Sequence, residues 1–328
     1  MQRNLIASLA ALAVLSSASG CSSGAARMDS IAVAWSPFES TALVWIAQEQ
    51  QFFSRNSLAI TLRKYDTGVG SLDGVVNGEA DLVVGPTEFP LVGRAFQNTK
   101  IRTVASIAKS EFIYVVGRKD RGVEKAADLK GKRVGTTART IAEFFLGRYL
   151  ELNGLTLKDV ILVDVTAPAD WVEAVVRGDI DAIATAQPYA NSAKERLGAN
   201  ATILSAQSSR PLFAQVIATE AWINKHPELV TKFLRALAQA EEYVRNPAQA
   251  KAVVQQSLNL DAAYMETVWS QNQFSLSLDQ SLIAAMEDEA RWMIKNDLTA
   301  ENQMPNFLDY IYEDSLKQVK PEAVNIIR

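Results

Sequence analysis

The sequence has very few of the two residue types that build most metal and thiol sites. In 328 residues it has one cysteine, Cys21, and one histidine, His226. A disulfide within the chain is therefore impossible, and a zinc cluster or a Cys–His dyad needs more of these residues than the chain has. We expect neither a metal nor a cofactor, and we interpret His226 as a surface residue at the start of a helix.

The chain also lacks an excess of positive charge. Lys and Arg number 33 against 37 Asp and Glu, a formal net charge of −4, which argues against binding of nucleic acid through a broad basic surface. Its apolar, alanine-rich run, residues 5–15, is shorter than the about 20 residues that cross a bilayer. With 48% hydrophobic residues, the composition is that of a globular protein, and the length suggests about two domains.

The N-terminal residues have the order of an export signal. Arg3 is the one charge in the first twenty, the apolar run follows, and the small residues 16–20 lead to Cys21. Residues 18–21, Ala-Ser-Gly-Cys, resemble the bacterial lipobox, whose cysteine carries lipid and becomes the mature N-terminus. The first position of that motif is usually leucine and is alanine here.

We therefore expect a signal peptide over residues 1–20, a lipid anchor on Cys21 and a polar tether over residues 21–30. The folded body would then lie on the periplasmic or cell-surface side of a membrane. Plain secretion with an incidental cysteine is the alternative.

A duplication occupies the first two hundred residues. Residues 75–84 (VVNGEADLVV) match residues 175–184 (VVRGDIDAIA) at an offset of 100. Each copy has the pattern of a helix end, a glycine stop, an acidic turn and an apolar strand. Strands and helices alternate before both copies, so each half is predicted to be β-α-β-α-β with a parallel sheet. The predicted strands are 31–34, 58–62, 132–135 and 160–163, and the predicted helices are 41–53 and 141–152.

The last hundred residues do not repeat this alternation. Apolar residues recur at three- and four-residue spacing from Leu229 to Leu237, and further helical patterns cover 262–271, 278–296 and 304–319. Such stripes are typical of core-facing helices. We expect this part to pack back on the first half.

Several motifs resemble those of substrate-binding proteins of ABC transporters, in the branch for nitrate, sulfonates, taurine and thiamine-pyrimidine precursors. Residues 128–135 (DLKGKRVG) are similar to the start of their second lobe, and 78–81, 178–181 and 220–228 fit the same branch. The resemblance covers roughly residues 30–260. It implies an α/β, two-lobed periplasmic-binding-protein fold (type II-like), each lobe a mostly parallel sheet flanked by helices, with the ligand in the cleft between them.

The resemblance also implies how the chain divides. Lobe one would comprise 30–117 plus 218–328, and lobe two 118–217. The chain would cross between the lobes near 115–118 and again near 213–218.

The function that the resemblance implies is that of a monomeric, lipid-anchored solute receptor rather than an enzyme. It would close its lobes around a small organic anion, such as an aliphatic sulfonate, taurine or nitrate, and deliver it to a membrane permease with an ATPase. A receptor for thiamine-type pyrimidines or other aromatic or amine ligands, and a sensor without transport, are alternatives. A pyrimidine-precursor synthase on the same fold is disfavoured by the single histidine and the single cysteine.

Candidate ligand contacts follow from the fold rule that ligands bind beyond the carboxyl ends of parallel strands. The rule selects three loops in each half. The first half offers Trp35, Ser36, Phe38, Gly70, Ser71 and Thr87, and the second offers Thr136, Thr137, Arg139, Trp171, Gln187 and Tyr189.

These residues suit different parts of a ligand. Hydroxyl and N–H groups around Thr136 and Thr137, at a helix start, favour an anion, and Arg139 adds a bidentate donor. Gly70 permits close backbone approach, and the aromatic residues suit an apolar body. Local helix capping and ordinary loop packing remain alternative interpretations.

Acidic residues near the predicted cleft leave a cationic ligand open. Glu39 could bind an amine, although Ser36 and Glu39 also have the spacing of a capping box, which would use both side chains locally. Glu88 and Glu111 are the other two acidic groups expected there.

Overall fold

The computed structural model describes residues 28–328, which form two β-sheets with helices on their faces. The predicted signal peptide, the lipid anchor on Cys21 and nearly all of the tether lie outside the described residues. None of the helices described in 28–328 is both long and apolar enough to cross a membrane.

Residues 28–328 contain eleven strands and thirteen α-helices. The strands are β1 (Asp29–Trp35), β2 (Leu58–Lys64), β3 (Leu82–Val84), β4 (Ile101–Ser110), β5 (Ile113–Arg118), β6 (Arg133–Thr136), β7 (Ile161–Asp164), β8 (Ala182–Ala186), β9 (Ala201–Ser205), β10 (Leu212–Thr219) and β11 (Asn272–Ser277). The helices are α1 (Ala42–Glu49), α2 (Phe52–Arg55), α3 (Gly68–Val76), α4 (Glu88–Phe96), α5 (Ile141–Leu152), α6 (Pro168–Arg177), α7 (Tyr189–Leu197), α8 (Glu220–Lys225), α9 (Pro227–Val244), α10 (Pro247–Leu258), α11 (Ala262–Trp269), α12 (Gln280–Lys295) and α13 (Asp314–Val319).

Both sheets are mixed. The first has the order β11-β4-β10-β3-β1-β2 and the second β7-β6-β8-β5-β9. We call each sheet with its helices lobe one and lobe two. In each lobe the predicted β-α-β-α-β unit forms three parallel strands. The remaining strands pair antiparallel, namely β10, β4 and β11 in lobe one and β5 and β9 in lobe two. Two sheets flanked by helices agree with the expected fold class, and the parallel part of each sheet is the duplicated unit.

The duplicated motif makes the same contacts in both lobes. The Asp81 N–H donates to the Ala32 carbonyl at 2.8 Å, and Asp81 Oδ2 accepts from the Ala32 N–H at 2.7 Å. Asp181 makes the same two bonds with Arg133, at 2.8 and 2.9 Å. Each aspartate thus fixes the start of the third strand beside the first, and the next residues pair in register.

The chain crosses between the sheets after β4 and again after β9. The first crossing is Glu111 and Phe112, and the second is 206–211. The segments in which crossings were expected, 115–118 and 213–218, lie instead inside β5 and β10. The boundary was missed because apolar residues continue on both sides of Glu111 without a proline or glycine.

The C-terminal helices pack on lobe one. Helix α9 contacts α1, and α12 contacts α4. The 272–277 segment, for which no element was predicted, adds β11 to the edge of the first sheet beside β4. The helical pattern at 304–319 forms only a short 3₁₀ turn, Phe307–Tyr310, and α13.

The lobes also meet through packed aromatic rings. Phe144 of α5 in lobe two lies 5.8 Å from Phe89 and 5.4 Å from Trp292 of lobe one, between ring centroids. Gly147, one turn further along α5, faces the same indole, and a Cβ there would lie 2.6 Å from it. The close approach of α5 to α12 therefore requires glycine at this position.

We expect Gly147→Ala to destabilise the protein by about 1–3 kcal/mol despite the higher helix propensity of alanine, because Trp292 must move. Gly93→Ala in α4 is the matched control, since a Cβ at Gly93 meets no atom within 4 Å. This substitution should raise the free energy of unfolding by about 0.5–1 kcal/mol. Urea unfolding measures both. Equal effects of the two substitutions would contradict the packing argument.

Candidate ligand-binding site

A cavity of about 420 Å³ lies between the lobes, at the carboxyl ends of the parallel strands. Among the described residues that line it, Arg139 is the one charged side chain. Aromatic rings and hydroxyl groups form much of the remaining wall: Phe38, Phe112, Trp171, Ser40, Thr67, Thr87, Thr137, Thr140, Thr166 and Thr185. Both lobes therefore contribute to one largely apolar space with hydrogen-bonding groups in its wall.

Part of the set predicted from the sequence lines this cavity. The residues that do so are Phe38, Thr87, Thr137, Arg139 and Trp171. They come from four of the six selected loops, since Thr137 and Arg139 share one loop. The rule on strand ends therefore located the cavity better than it located individual side chains.

Three residues of the predicted set are used locally in lobe one. The Gly70 N–H donates to Thr67 Oγ1 at 3.0 Å, and Ser71 Oγ donates to the Gly68 carbonyl at 3.0 Å, which caps α3. Trp35 packs edge-on against Trp45, with centroids 4.7 Å apart.

Four further predicted residues lie behind the cavity wall. Gln187 Oε1 accepts from the Asn191 N–H at 3.1 Å, and the Tyr189 ring packs edge-on behind Trp171 at 4.6 Å. Ser36 and Thr136 are fully buried, and their hydroxyl oxygens have no hydrogen-bond partner among the described residues. The sequence could not distinguish these four residues from lining residues, because they are next to or near lining residues in the chain.

Four hydroxyl residues of the wall that were missed had a usable signal. Thr67, Thr140, Thr166 and Thr185 lie in the selected loops 66–71, 136–141, 166–171 and 185–189, so collecting every hydroxyl residue there would have found them. Phe112 belongs to the first crossing, and its sequence neighbourhood gave no sign of this role.

Two N–H groups of the loop before α5 are bound within the chain. The Ala138 N–H donates to Asp164 Oδ1 at 2.9 Å, and the Arg139 N–H donates to Glu143 Oε2 at 2.6 Å. Burial raises the pKa of Glu143. These two N–H groups are therefore unavailable to a ligand, whereas the first residues of α5, Ile141 and Ala142, line the cavity.

The hydroxyl groups of the wall differ in what they can still donate. Thr137 Oγ1 donates to the Val165 carbonyl, and Thr140 Oγ1 donates to the Thr137 carbonyl, both at 2.8 Å. These two can only accept from a ligand. Thr67 Oγ1 accepts from Gly70, so its own O–H stays available to donate to a ligand.

The acidic residues expected near the cleft are engaged elsewhere. Glu39 is buried, and its Oε1 accepts from the Tyr264 hydroxyl. Burial raises the pKa of Glu39. The capping box with Ser36 is not formed, because the 3₁₀ helix begins at Glu39 with Phe38 as its N-cap. Neither Glu88 nor Glu111 lines the interlobe cavity.

Glu88 instead belongs to a buried carboxyl pair at the second crossing. Its Oε2 accepts from the Phe213 N–H at 2.9 Å, while its Oε1 and both carboxyl oxygens of Glu289 on α12 have no hydrogen-bond partner among the described residues. Arg210, in the crossing, lies 3.6 Å from Glu289 Oε1 and 3.0 Å from Asp288 Oδ2. Burial raises the pKa of both glutamates, and the neighbouring Glu88 charge raises that of Glu289 further. The folded state therefore favours the protonated form of these carboxyl groups.

This pair should make stability depend on pH. The folded state holds a proton that the unfolded chain has lost at neutral pH, so the unfolding free energy should rise as pH falls from 8 toward about 5. Glu289→Gln should remove roughly 1–3 kcal/mol of that rise. Glu287→Gln, on the exposed side of the same helix, is the control. Chemical denaturation at several pH values measures the unfolding free energy of the wild type and of both variants. If the unfolding free energy depends on pH in the same way in all three proteins, the prediction is contradicted.

Comparison with known proteins places the chain in a family. A model described as "NMT1/THI5 like" matches residues 39–250. A putative binding protein of Brucella abortus (strain 2308) is 26% identical over 276 residues, which cover 81% of this chain and 82% of the relative. The 4-amino-5-hydroxymethyl-2-methylpyrimidine phosphate synthase of Aspergillus parasiticus is 25% identical over 231 residues, 66% of each chain.

A solved structure extends the comparison to the fold. The periplasmic aliphatic sulphonate binding protein SsuA of Escherichia coli superposes with a TM-score of 0.73 at 17% identity, over 87% of this chain and 97% of that one. The two-lobed fold class and the resemblance to substrate-binding proteins are thereby confirmed. The chain belongs to the NMT1/THI5 like family and has the periplasmic binding protein fold.

Proposed function

We propose that the protein is an exported solute receptor that holds a small organic anion between its lobes. The observation that carries the proposal is the 420 Å³ cavity whose wall comes from both lobes, with Arg139 as the one charged side chain among its described lining residues. A ligand that contacts both lobes binds the closed arrangement better than an open one and shifts the population toward it. No bond of the ligand is broken.

The wall chemistry supports a sulfonate or carboxylate with an apolar body. Phe38, Phe112 and Trp171 provide apolar surface, while Arg139 and the Thr67 hydroxyl can donate to an acidic group. Nitrate and taurine leave much of this space unfilled, so we place larger aliphatic or aromatic sulfonates first. The E. coli protein with the same fold is an aliphatic sulphonate binding protein, which is consistent with this choice.

A receptor for an aminopyrimidine is the second candidate. Thr137 and Thr140 present acceptors, which suit the amino group of such a ring, and the aromatic walls suit its faces. A synthase reaction has less support, since His226 lies at the end of α8, 5.5 Å from the Trp222 ring, and is absent from the cavity wall.

The wider setting of the receptor belongs to the same proposal. A signal peptide over 1–20 and a lipid on Cys21 would hold a monomer on the periplasmic or cell-surface face of a membrane. A permease with its ATPase would take the ligand from the closed form. A permease gene and an ATPase gene beside this one would favour transport over a sensory role.

A thermal-shift screen of the purified protein tests the ligand class. Alkanesulfonates and arenesulfonates should raise the melting temperature more than taurine, nitrate or aminopyrimidines. A ligand at a hundred times its dissociation constant adds about 2.7 kcal/mol to the unfolding free energy. If the pyrimidines stabilise the protein and every sulfonate leaves it unchanged, the anion proposal is wrong and the second candidate replaces it.

Arg139→Gln should weaken the binding of the best sulfonate about 10- to 100-fold, because a charge-assisted hydrogen bond in a largely apolar site is lost. Isothermal titration calorimetry measures the change. Arg148→Gln, an exposed arginine of α5 whose ion partner is Glu151, should leave affinity unchanged. Equal affinities for the wild type and Arg139→Gln would remove Arg139 from the site.

A further inference from the structure

A second cavity of about 600 Å³ lies beside the interlobe cavity, on the outer side of α3 and α4. We call it the outer groove. Val69, Pro90 and Arg139 line both spaces. The outer groove therefore continues the interlobe cavity, and Arg139 stands where the two meet.

The outer groove has an apolar floor and a polar rim. Val69, Pro90 and Leu298 are half-buried and form the accessible apolar part of its wall. Asp73 and Arg94 form an ion pair at its edge. Arg139 and Glu301 are the other two charged lining residues, so the formal charges of the lining balance and the apolar part can hold a hydrocarbon chain.

Arg139 is held in a way that leaves its guanidinium for a ligand. Its backbone has the left-handed conformation, with φ of 60°, and its N–H is bound by Glu143. Within residues 28–328 the guanidinium makes no hydrogen bond or ion pair. An acidic group beside Arg139 would lie at the junction, from which the rest of the molecule can extend outward.

We propose that the interlobe cavity and the outer groove form one binding site for organic acids that carry an apolar arm. The acidic group lies at Arg139, in contact with the hydroxyl groups between the lobes, and the arm lies along α4 in the outer groove. This inference rests on the proposed receptor function and specifies the ligand class.

Gly93 makes the outer groove testable. It lies within α4 and lines the outer groove, and a Cβ added there meets no atom within 4 Å. Glycine is a poor residue for a helix interior, so its replacement does not weaken α4 itself. A large side chain at this position would fill the outer groove and leave the interlobe cavity open.

The experiment compares butanesulfonate with decanesulfonate by calorimetric titration. The wild type should bind decanesulfonate at least tenfold more tightly than butanesulfonate. Gly93→Phe should lower the affinity for decanesulfonate at least tenfold. Its affinity for butanesulfonate should stay within about twofold of the wild-type value. Arg148→Gln, at a residue that lines neither cavity, is the control and should change neither affinity. Equal effects of Gly93→Phe on the two sulfonates, or none on either, would overturn the inference.

A second variant and the wild-type affinities distinguish failure of this inference from failure of the receptor proposal. If Gly93→Phe fails to fold by circular dichroism, Ala300→Phe fills the same outer groove from the opposite wall and must give the same selective loss. If the wild type binds butanesulfonate but gains nothing from the longer chain, the inference is wrong and the receptor proposal stands. If it binds neither sulfonate, both are wrong.

Discussion

One paired contact, made once in each lobe, determines where the binding loops lie. Asp81 and Asp181 each bind both backbone polar groups of a residue in the first strand of their lobe, Ala32 or Arg133. This fixes the third strand beside the first and thereby sets the position of the loop at its carboxyl end. Thr87, which follows β3, and Thr185, near the carboxyl end of β8, both line the interlobe cavity. The cavity walls are therefore set by contacts at the opposite ends of the strands.

Much of the fold was predictable because the duplicated motif holds the third strand of each lobe beside the first, so its residues can be recognised in the sequence. Asp81 and Asp181 lie at equivalent places, and the alternation of helix and strand around them matches α5 to its terminal residues. The crossings were harder to predict, since no proline or glycine separates β4 from β5 in the sequence. The break at Glu111 depends on which sheet each strand can join, and that is settled by contacts with β8, β9 and β10, far along the chain.

The site was predictable at the level of loops and less so at the level of side chains. Thr67 and Ser71 are both hydroxyl residues near the start of α3, yet only Thr67 lines the cavity, because Ser71 donates back to Gly68. Two of the N–H groups expected to hold an anion before α5, those of Ala138 and Arg139, are bound by Asp164 and Glu143. The local sequence of hydroxyl residues and Arg139 favours an anion there. The fold, however, brings Asp164 from the end of β7 to the Ala138 N–H.

The shortness of the first crossing limits how the lobes can move. Glu111 and Phe112 alone join β4 to β5, and two residues span at most about 7 Å. The lobes cannot part on that side, so opening is a swing about an axis near this link, and loops farther from it travel more. Phe112 lies in the cavity wall beside that axis. In the proposed receptor, Phe112 would therefore move little during such a swing and would stay in contact with a bound ligand throughout.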